Sequence, residues 1–429
     1  MNNELFFAPN ISSDWKLVPN KYLFISHSEK VGENFSNYQL LSLTKKGVVA
    51  KDINSNEGKL PASFEGYQTV SKGDMIFCLF DLDMSAVFSG LSDMDGMITS
   101  AYDVYAVNDK LIDSNYCKYW FDYVFTGRYY KNYSKNIRYT VGGEAFGQIK
   151  TPIPSLEEQK KIGDFLDKKI NQIDELISNQ EKQIEKLEEY KQSIITKAVT
   201  KGLDPNVKMK GSGVEWIGEI PEGWEIKPLK SYFDFSKGLP ITKENLTETG
   251  VKVISYGQIH AKYNKSVTID DRLYRYVSDT YLTSNPECLV KKYDFIIADT
   301  SEDRKGTGDF IHIDNDDKIF AGYHSIILRN KYDVYSYYFA YLFMSDPWRN
   351  QFRCKVGGVK LFSLTQKILS TGLVIVPPLS EQKEIVNQIE NKCTSIDSLI
   401  EVKKEKIEKL ETFKKSIIYE CVTGKKKVA

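Results

Sequence analysis

Most of the marks of an enzyme or a secreted protein are missing from this sequence. Its four histidines, His27, His260, His312 and His324, have no HExxH or comparable ligand spacing, and no serine or cysteine sits in a recognisable nucleophile motif. Gly306-Thr-Gly308 lacks both the third glycine and the Lys-Ser/Thr of a phosphate loop. An Asn/Asp-Pro-Pro-aromatic tetrapeptide is absent too, since Asn285-Pro286-Glu287 and Asp346-Pro347-Trp348 want the second proline. The acids and base of Asp299, Glu302 and Lys305 are too loosely spaced for a nuclease triplet. Six cysteines, Cys78, Cys117, Cys288, Cys354, Cys393 and Cys421, show no paired spacing, which argues against a disulfide framework or structural zinc and for a reducing compartment. No apolar run approaches the roughly 20 residues of a membrane span, and MNNELFFAPN has no basic region followed by an apolar one. A cytoplasmic protein that binds without reacting, and without a metal, is what these absences leave.

Charge of one sign is also missing: 58 lysines and arginines balance 58 aspartates and glutamates. No global field advertises a polyanionic partner, although net charge conceals local patches. At 429 residues the chain is long enough for two domains, each with its own core.

What is present is a repeat. From Leu156 to Thr200 and again from Leu379 to Thr423 the sequence recurs without a gap at an offset of 223 (379 − 156). Glu158/Glu381, Gln159/Gln382, Ile173/Ile396 and Asp174/Asp397 all match, and Ile184-Glu185-Lys186-Leu187-Glu188 returns as Ile407-Glu408-Lys409-Leu410-Glu411. Within the first copy Leu166, Ile173, Gln180, Leu187 and Ile194 fall every seven residues, with Ile170, Ile177, Ile184, Lys191 and Ala198 interleaved. The second copy repeats the seam as Ile389, Ile396, Lys403, Leu410 and Ile417 with Cys393, Ile400, Ile407, Lys414 and Cys421. Such a heptad predicts coiled-coil helices, and the Glu/Lys density of the other face favours a solvated rod over a helix laid on a globular core. Polar interruptions at Gln180/Lys403 and Lys191/Lys414 are one way to fix register.

A tyrosine-rich segment precedes each helix, and these segments are related as well. Trp15-Lys-Leu-Val-Pro19 and Phe24 return as Trp224-Glu-Ile-Lys-Pro228 and Phe233 at an offset of 209 (224 − 15). Lys72-Gly-Asp74-Met-Ile76 matches Lys292-Tyr-Asp294-Phe-Ile296, and Tyr119-Trp-Phe121 matches Tyr337-Tyr-Phe339. Runs 251–255, 294–298 and 324–328 predict strands and 335–344 a helix, so each module is expected to be α+β. The predicted organisation is a first globular domain at 1–150, a helix at 151–202, a linker and second domain at 203–375, and a second helix at 376–429. Asp204-Pro205-Asn206 and Lys210-Gly211-Ser212-Gly213 read as the linker.

A nucleic-acid surface would need cations for phosphate and polar or aromatic side chains for base edges. In the first module Arg128, Lys131, Lys135 and Arg138 stand among three tyrosines ahead of Gly142-Gly143. Arg349, Arg353 and Lys355 occupy the matching place before Gly357-Gly358. A solvated basic loop would read the same way. Candidate base readers are Thr44, Lys45 and Lys46 in the first module, and Tyr256, Gln258, His260, Arg304, Lys305, Tyr323 and His324 in the second.

These features resemble the specificity (S) subunit of type I restriction-modification systems over nearly the whole chain. The most specific pieces are Pro154-Ser-Leu-Glu-Glu-Gln159 and Pro377-Pro-Leu-Ser-Glu-Gln382, similar to the family's IPxPPLxEQ helix entry, with Ser155 departing from the second proline. Ser212-Gly-Val-Glu-Trp-Ile-Gly-Glu-Ile-Pro-Glu-Gly-Trp224 is similar to the family's lead into its second recognition domain. The resemblance implies two target-recognition domains reading a split double-stranded DNA site, joined by two helices paired as an antiparallel coiled coil. It implies that two methyltransferase subunits dock on those helices and carry S-adenosylmethionine, and that restriction subunits bring ATP and Mg. The residues alone leave open a coiled-coil scaffold without DNA function and a stand-alone nuclease or methyltransferase. If the helices set the gap between half-sites, deleting one heptad from both should shorten the rod by about 10 Å, roughly three base pairs, while keeping the seam face. Mapping methylated sites of the shortened protein checks this, and an unchanged spacer refutes it.

Overall fold

A computed structural model of the chain describes residues 11–27, 29–45, 47–52, 63–85, 87–134, 139–332, 335–358 and 360–428. The fold is α+β, with two β-rich domains and two long helices, Leu156–Lys201 and Leu379–Val422, packed antiparallel. It divides into two compact units: Met1–Glu181 with Lys403–Ala429, and Lys182–Val402. The first is assembled from two separate stretches of chain and the second from one. Each combines one globular domain with half of each long helix, because antiparallel pairing returns the end of the second helix to the domain from which the first departs.

In the first unit, Lys16–Pro19 pairs antiparallel with Lys150–Ile153, so the domain's opening strand meets its closing one at the helix entry. Between them lies an antiparallel sheet in the order Phe24–Ser26, Asp103–Val107, Met75–Phe77, Ser89–Leu91. The helix Ser114–Thr126 starts where the Asp113 carboxylate accepts from the Asn115 and Tyr116 amides, satisfying two orphan donors. It buries Trp120, Phe121 and Phe125, and Phe121 meets Phe77 edge-on at 4.8 Å. Ile162, Leu166, Ile170 and Ile173 of the first long helix and Ile417, Ile418, Cys421 and Val422 of the second complete this core.

The second unit repeats the plan. Glu225–Pro228 pairs with Leu373–Val376, and the sheet runs Phe233–Lys237, Ser325–Asn330, Phe295–Ala298, Phe310–His312. A second sheet, Arg275–Val277, Val251–Ile254, Ile319–Ala321, Leu289–Val290, includes a parallel pair between Val251–Ile254 and Ile319–Ala321. The expected strands at 251–255, 294–298 and 324–328 and the helix at 335–344 form as Val251–Ile254, Phe295–Ala298, Ser325–Asn330 and Ser336–Met344. The expected linker is more ordered than its Gly/Ser content implied. Met209–Gly211 pairs with Glu219–Pro221, and Ile217, Ile220 and Trp224 are buried with Ile195 and Val199 of the first long helix.

Matching sequence marks turn out to be matching contacts. Gly73 and Tyr293 occupy the same left-handed turn position, with φ of 96° and 75°. The next residues, Asp74 and Asp294, accept from the Ser71 and Lys291 amides. Within the first unit Lys414 bridges Asp174 at 2.7 Å, and within the second Lys191 bridges Asp397 at 2.7 Å. Of the expected seam residues, Ile173, Ile396, Ile400 and Ile417 are buried, while Ile177, Ile184, Leu187, Ile194, Ile407 and Leu410 are half-buried. Gln180 is buried and faces Lys403 at 3.5 Å.

The paired motif glutamines clamp the helix entries. Gln159 Nε2 donates to the Pro154 and Leu111 carbonyls at 3.0 and 3.1 Å, and its Oε1 accepts from the Asp113 amide at 2.8 Å. Gln382 repeats the bond to the proline carbonyl, donating to Pro377 at 2.9 Å, but its buried Oε1 has no partner among the described residues. Replacing Gln159 by Met should therefore strand an amide and two carbonyls and cost about 2–4 kcal/mol, against about 1 kcal/mol for Gln382→Met. Thermal unfolding of the two variants should show the larger loss for Gln159→Met.

Candidate nucleic-acid interface

The second domain presents its candidate residues at one end of its strands. Tyr256 opens the short helix Tyr256–Ile259, which follows Val251–Ile254. Tyr323 and His324 form the turn between Ile319–Ala321 and Ser325–Asn330, with His324 in the left-handed region at φ 54°. The three rings meet: Tyr256 lies 5.7 Å from Tyr323 and 5.5 Å from His324, edge to face. Asp299 follows the strand Phe295–Ala298, and its carboxylate accepts from His324 Nδ1 at 3.2 Å and from the Thr300 hydroxyl at 2.8 Å. His324 is 57% exposed and Asp299 35%, so the cluster faces solvent.

Beside it, His260 and Arg349 converge on Asp309. His260 Nδ1 lies 2.9 Å from one carboxylate oxygen and Nε2 lies 2.9 Å from the Thr300 carbonyl. Arg349 NH1 donates to the other oxygen while its Nε donates to the Phe343 carbonyl. Arg353 is held in the same way, donating to Asp346 at 2.7 Å, to Asn350 at 3.0 Å and to the Lys305 carbonyl at 2.6 Å. The side chains of Arg349 and Arg353 are 17% and 16% exposed. Both arginines, expected at phosphates, thus also bond inside the domain: Arg353 braces the segment at Lys305, and Arg349 ties Asp309 to Phe343. Gln258 likewise caps its own helix, accepting from the Ser255 amide at 3.1 Å. Arg304 and Lys305 remain exposed on the braced segment, Arg304 over the Phe362 ring, while Lys355 is exposed and donates to the Thr371 hydroxyl.

In the first domain the described cations of the basic stretch also make contacts within the protein. Arg128, at φ 52°, donates to the Leu82 and Ser85 carbonyls and lies over Phe88, which fastens a neighbouring loop. Lys131 lies over the Tyr139 ring at 4.1 Å. Tyr130, one of the interleaved tyrosines, is fully buried and accepts from Asn20, so it belongs to the core. Lys135 and Arg138 lie outside the described residues, as does Lys46. Thr44 ends the strand Leu41–Thr44 and donates to the Gly47 carbonyl, and Lys45 is exposed in the turn between that strand and Gly47–Ala50.

Sequence reasoning did not select Asp299 or Asp309 as recognition or supporting groups. Asp309 sits 49 positions from His260 and 40 from Arg349, and no local pattern marks a pairing that the sheet alone creates. Among the described residues, no group of three or more His, Cys, Asp or Glu side chains could hold a metal ion. None of the helices there is long and apolar enough to cross a membrane.

Comparison with known proteins matches this architecture. The family model described as type I restriction modification DNA specificity domain covers residues 102–186 and 221–412, and the chain belongs to that family. It is 28% identical to the MjaVIII type I restriction enzyme specificity subunit of Methanocaldococcus jannaschii over 291 residues. That alignment takes in 67% of this chain and spans 64% of the relative's length. The EcoKI specificity subunit of Escherichia coli is 23% identical over 215 residues, 48% of this chain and 44% of that one. In fold, the chain matches one from a solved type I R-M system, studied for its complex assembly and conformational transition, with TM-score 0.66 at 15% identity, covering 96% of this chain and 98% of the other.

The surroundings of His260 make a pH prediction. Burial pushes its pKa down, but hydrogen bonds to Asp309 and the Thr300 carbonyl outweigh this and hold it above the ordinary value. A raised folded-state pKa means that the stabilisation is complete below the unfolded value of about 6.5 and is lost as pH rises through the folded value. The thermal midpoint of the wild-type chain should thus fall as pH rises above about 6.5, and His260→Asn should flatten that fall. Equal slopes for both proteins would refute the assignment.

Proposed function

We propose that this chain is the DNA-recognition subunit of a type I restriction-modification complex, and that each of its two domains reads one half of a split double-stranded site. The duplication carries the reading. Two domains of one plan, entered and left through the same strand pairing, are attached to one antiparallel helix pair whose ion pairs are also duplicated. A protein with two related but diverged readers suits a bipartite target, and DNA contacts divide naturally into phosphate anchors and base readers. Arg304 and Lys305 in the second domain and Lys45 in the first, the sequence's candidate base readers, are exposed and suit either role.

The helices offer equivalent places for two copies of one partner. Leu176 in the first helix and Leu399 in the second, at the repeat offset of 223 (399 − 176), are 45% and 53% exposed. Tyr190 and Phe413, at the same offset, are 59% and 52% exposed. All four stand at one flanking heptad position beside the seam. Large apolar side chains left in solvent in matched pairs fit docking of two methyltransferase subunits, with restriction subunits joining the assembly. S-adenosylmethionine, ATP and Mg then belong to those partners, and this chain supplies specificity without catalysis.

The test is to co-express the chain with the methyltransferase subunit encoded beside it and to map modified adenines by single-molecule sequencing. The expected result is a split motif, modified on both strands, whose halves change separately when residues 1–150 or 203–375 are exchanged for those of a relative. No new modification from a soluble assembled complex would favour the scaffold reading, and turnover by the purified chain alone would favour a stand-alone enzyme.

A further inference from the structure

The reading above leaves open how the second domain meets a base, and the cluster at the tip of its strands suggests an answer that rests on that reading. From the geometry around His324 we infer that it reads a base with an exocyclic amino group, adenine or cytosine, through Nε2, and that Asp299 is the positioning residue that fixes its tautomer.

An aspartate carboxylate can only accept, so the contact with Asp299 Oδ1 at 3.2 Å places the proton on Nδ1 of His324. An imidazole with its one proton on Nδ1 offers Nε2 as an acceptor, and Nε2 has no hydrogen-bond partner among the described residues. Adenine N6 and cytosine N4 are the amino donors that the major groove displays. The rings of Tyr256 and Tyr323, 5.5 and 6.0 Å from His324, flank the imidazole and limit where it can point.

The backbone is arranged around this contact. The Asp299 amide donates to the His324 carbonyl at 3.2 Å, and the Leu364 amide donates to the Asp299 carbonyl at 2.8 Å. Tyr256 is tied to the same turn, its amide donating to the Tyr323 carbonyl at 3.3 Å. Gly238 and Gly322 permit the close approach beneath, since a Cβ at Gly238 would stand 2.1 Å from the Gly322 carbonyl oxygen. A non-glycine residue with φ of 54° is held there by its surroundings, and such strain gathers at functional sites. The carboxylate that a loose nuclease spacing could not explain thus has a partner and a task.

The experiment compares methylation motifs of the assembled complex carrying wild-type chain, His324→Asn or Asp299→Asn. Asparagine tolerates the left-handed backbone, so His324→Asn should fold. It should broaden the motif at one position of the second half-site, normally adenine or cytosine, with roughly tenfold lower discrimination and an unchanged first half. Asp299→Asn can donate to Nδ1 and so admit the opposite tautomer, with a proton on Nε2. At the same position, preference should then move toward guanine or thymine, which present oxygen acceptors. An unchanged motif in both variants, broadening confined to the first half-site, or a His324-dependent position that is guanine or thymine in the wild type would overturn the inference. In each of these cases the wild-type split motif still supports the recognition role, whereas the absence of any split motif defeats both.

Discussion

The bond between Lys414 and Asp174 in one unit, and its counterpart between Lys191 and Asp397 in the other, is a single contact made twice. Antiparallel pairing of two copies of one sequence creates that reciprocity: each lysine lies on one copy, and each aspartate at the matching place on the other. Such partly exposed pairs add little stability individually, about 0–1 kcal/mol. Their value lies in register, since a slip of one heptad would part both at once and bring Gln180 and Lys403 against apolar seam positions. The buried isoleucines nearer the globular domains supply the cohesion, at roughly 1.5–3 kcal/mol for each side chain fully buried.

Gln159 and Gln382 tie the first turn of each helix to the proline carbonyl five residues back, so the direction in which the chain leaves a domain is set by a buried side chain. Trp224 extends the clamp by donating from its indole nitrogen to Glu381 at 2.9 Å. The Glu-Gln of the helix-entry motif is thus a mechanical joint.

Periodic features could be read from the sequence because they are local. The seven-residue spacing, the β-branched strands and the helix at Ser336–Met344 each follow from neighbours along the chain, and the repeat from comparing the chain with itself. The site was less legible, because its contacts run across the sheet: His260 with Asp309, and His324 with Asp299. The surroundings of the cations were not legible either: Arg349 and Arg353 each meet an acid, Asp309 and Asp346, that a list of basic residues does not reveal. Tyr130 was equally opaque, a tyrosine amid cations that points into the core.

The strand pairings at the base of each domain have an evolutionary consequence. Lys16–Pro19 lies against Lys150–Ile153, and Glu225–Pro228 against Leu373–Val376, so each domain enters and leaves through one narrow ladder. Backbone hydrogen bonds make that ladder indifferent to most side chains. A foreign domain that ended in two such strands could be spliced in by recombination at two short junctions, leaving the helices untouched. Lineages that exchange such cassettes would change a whole domain at once rather than by accumulating point changes.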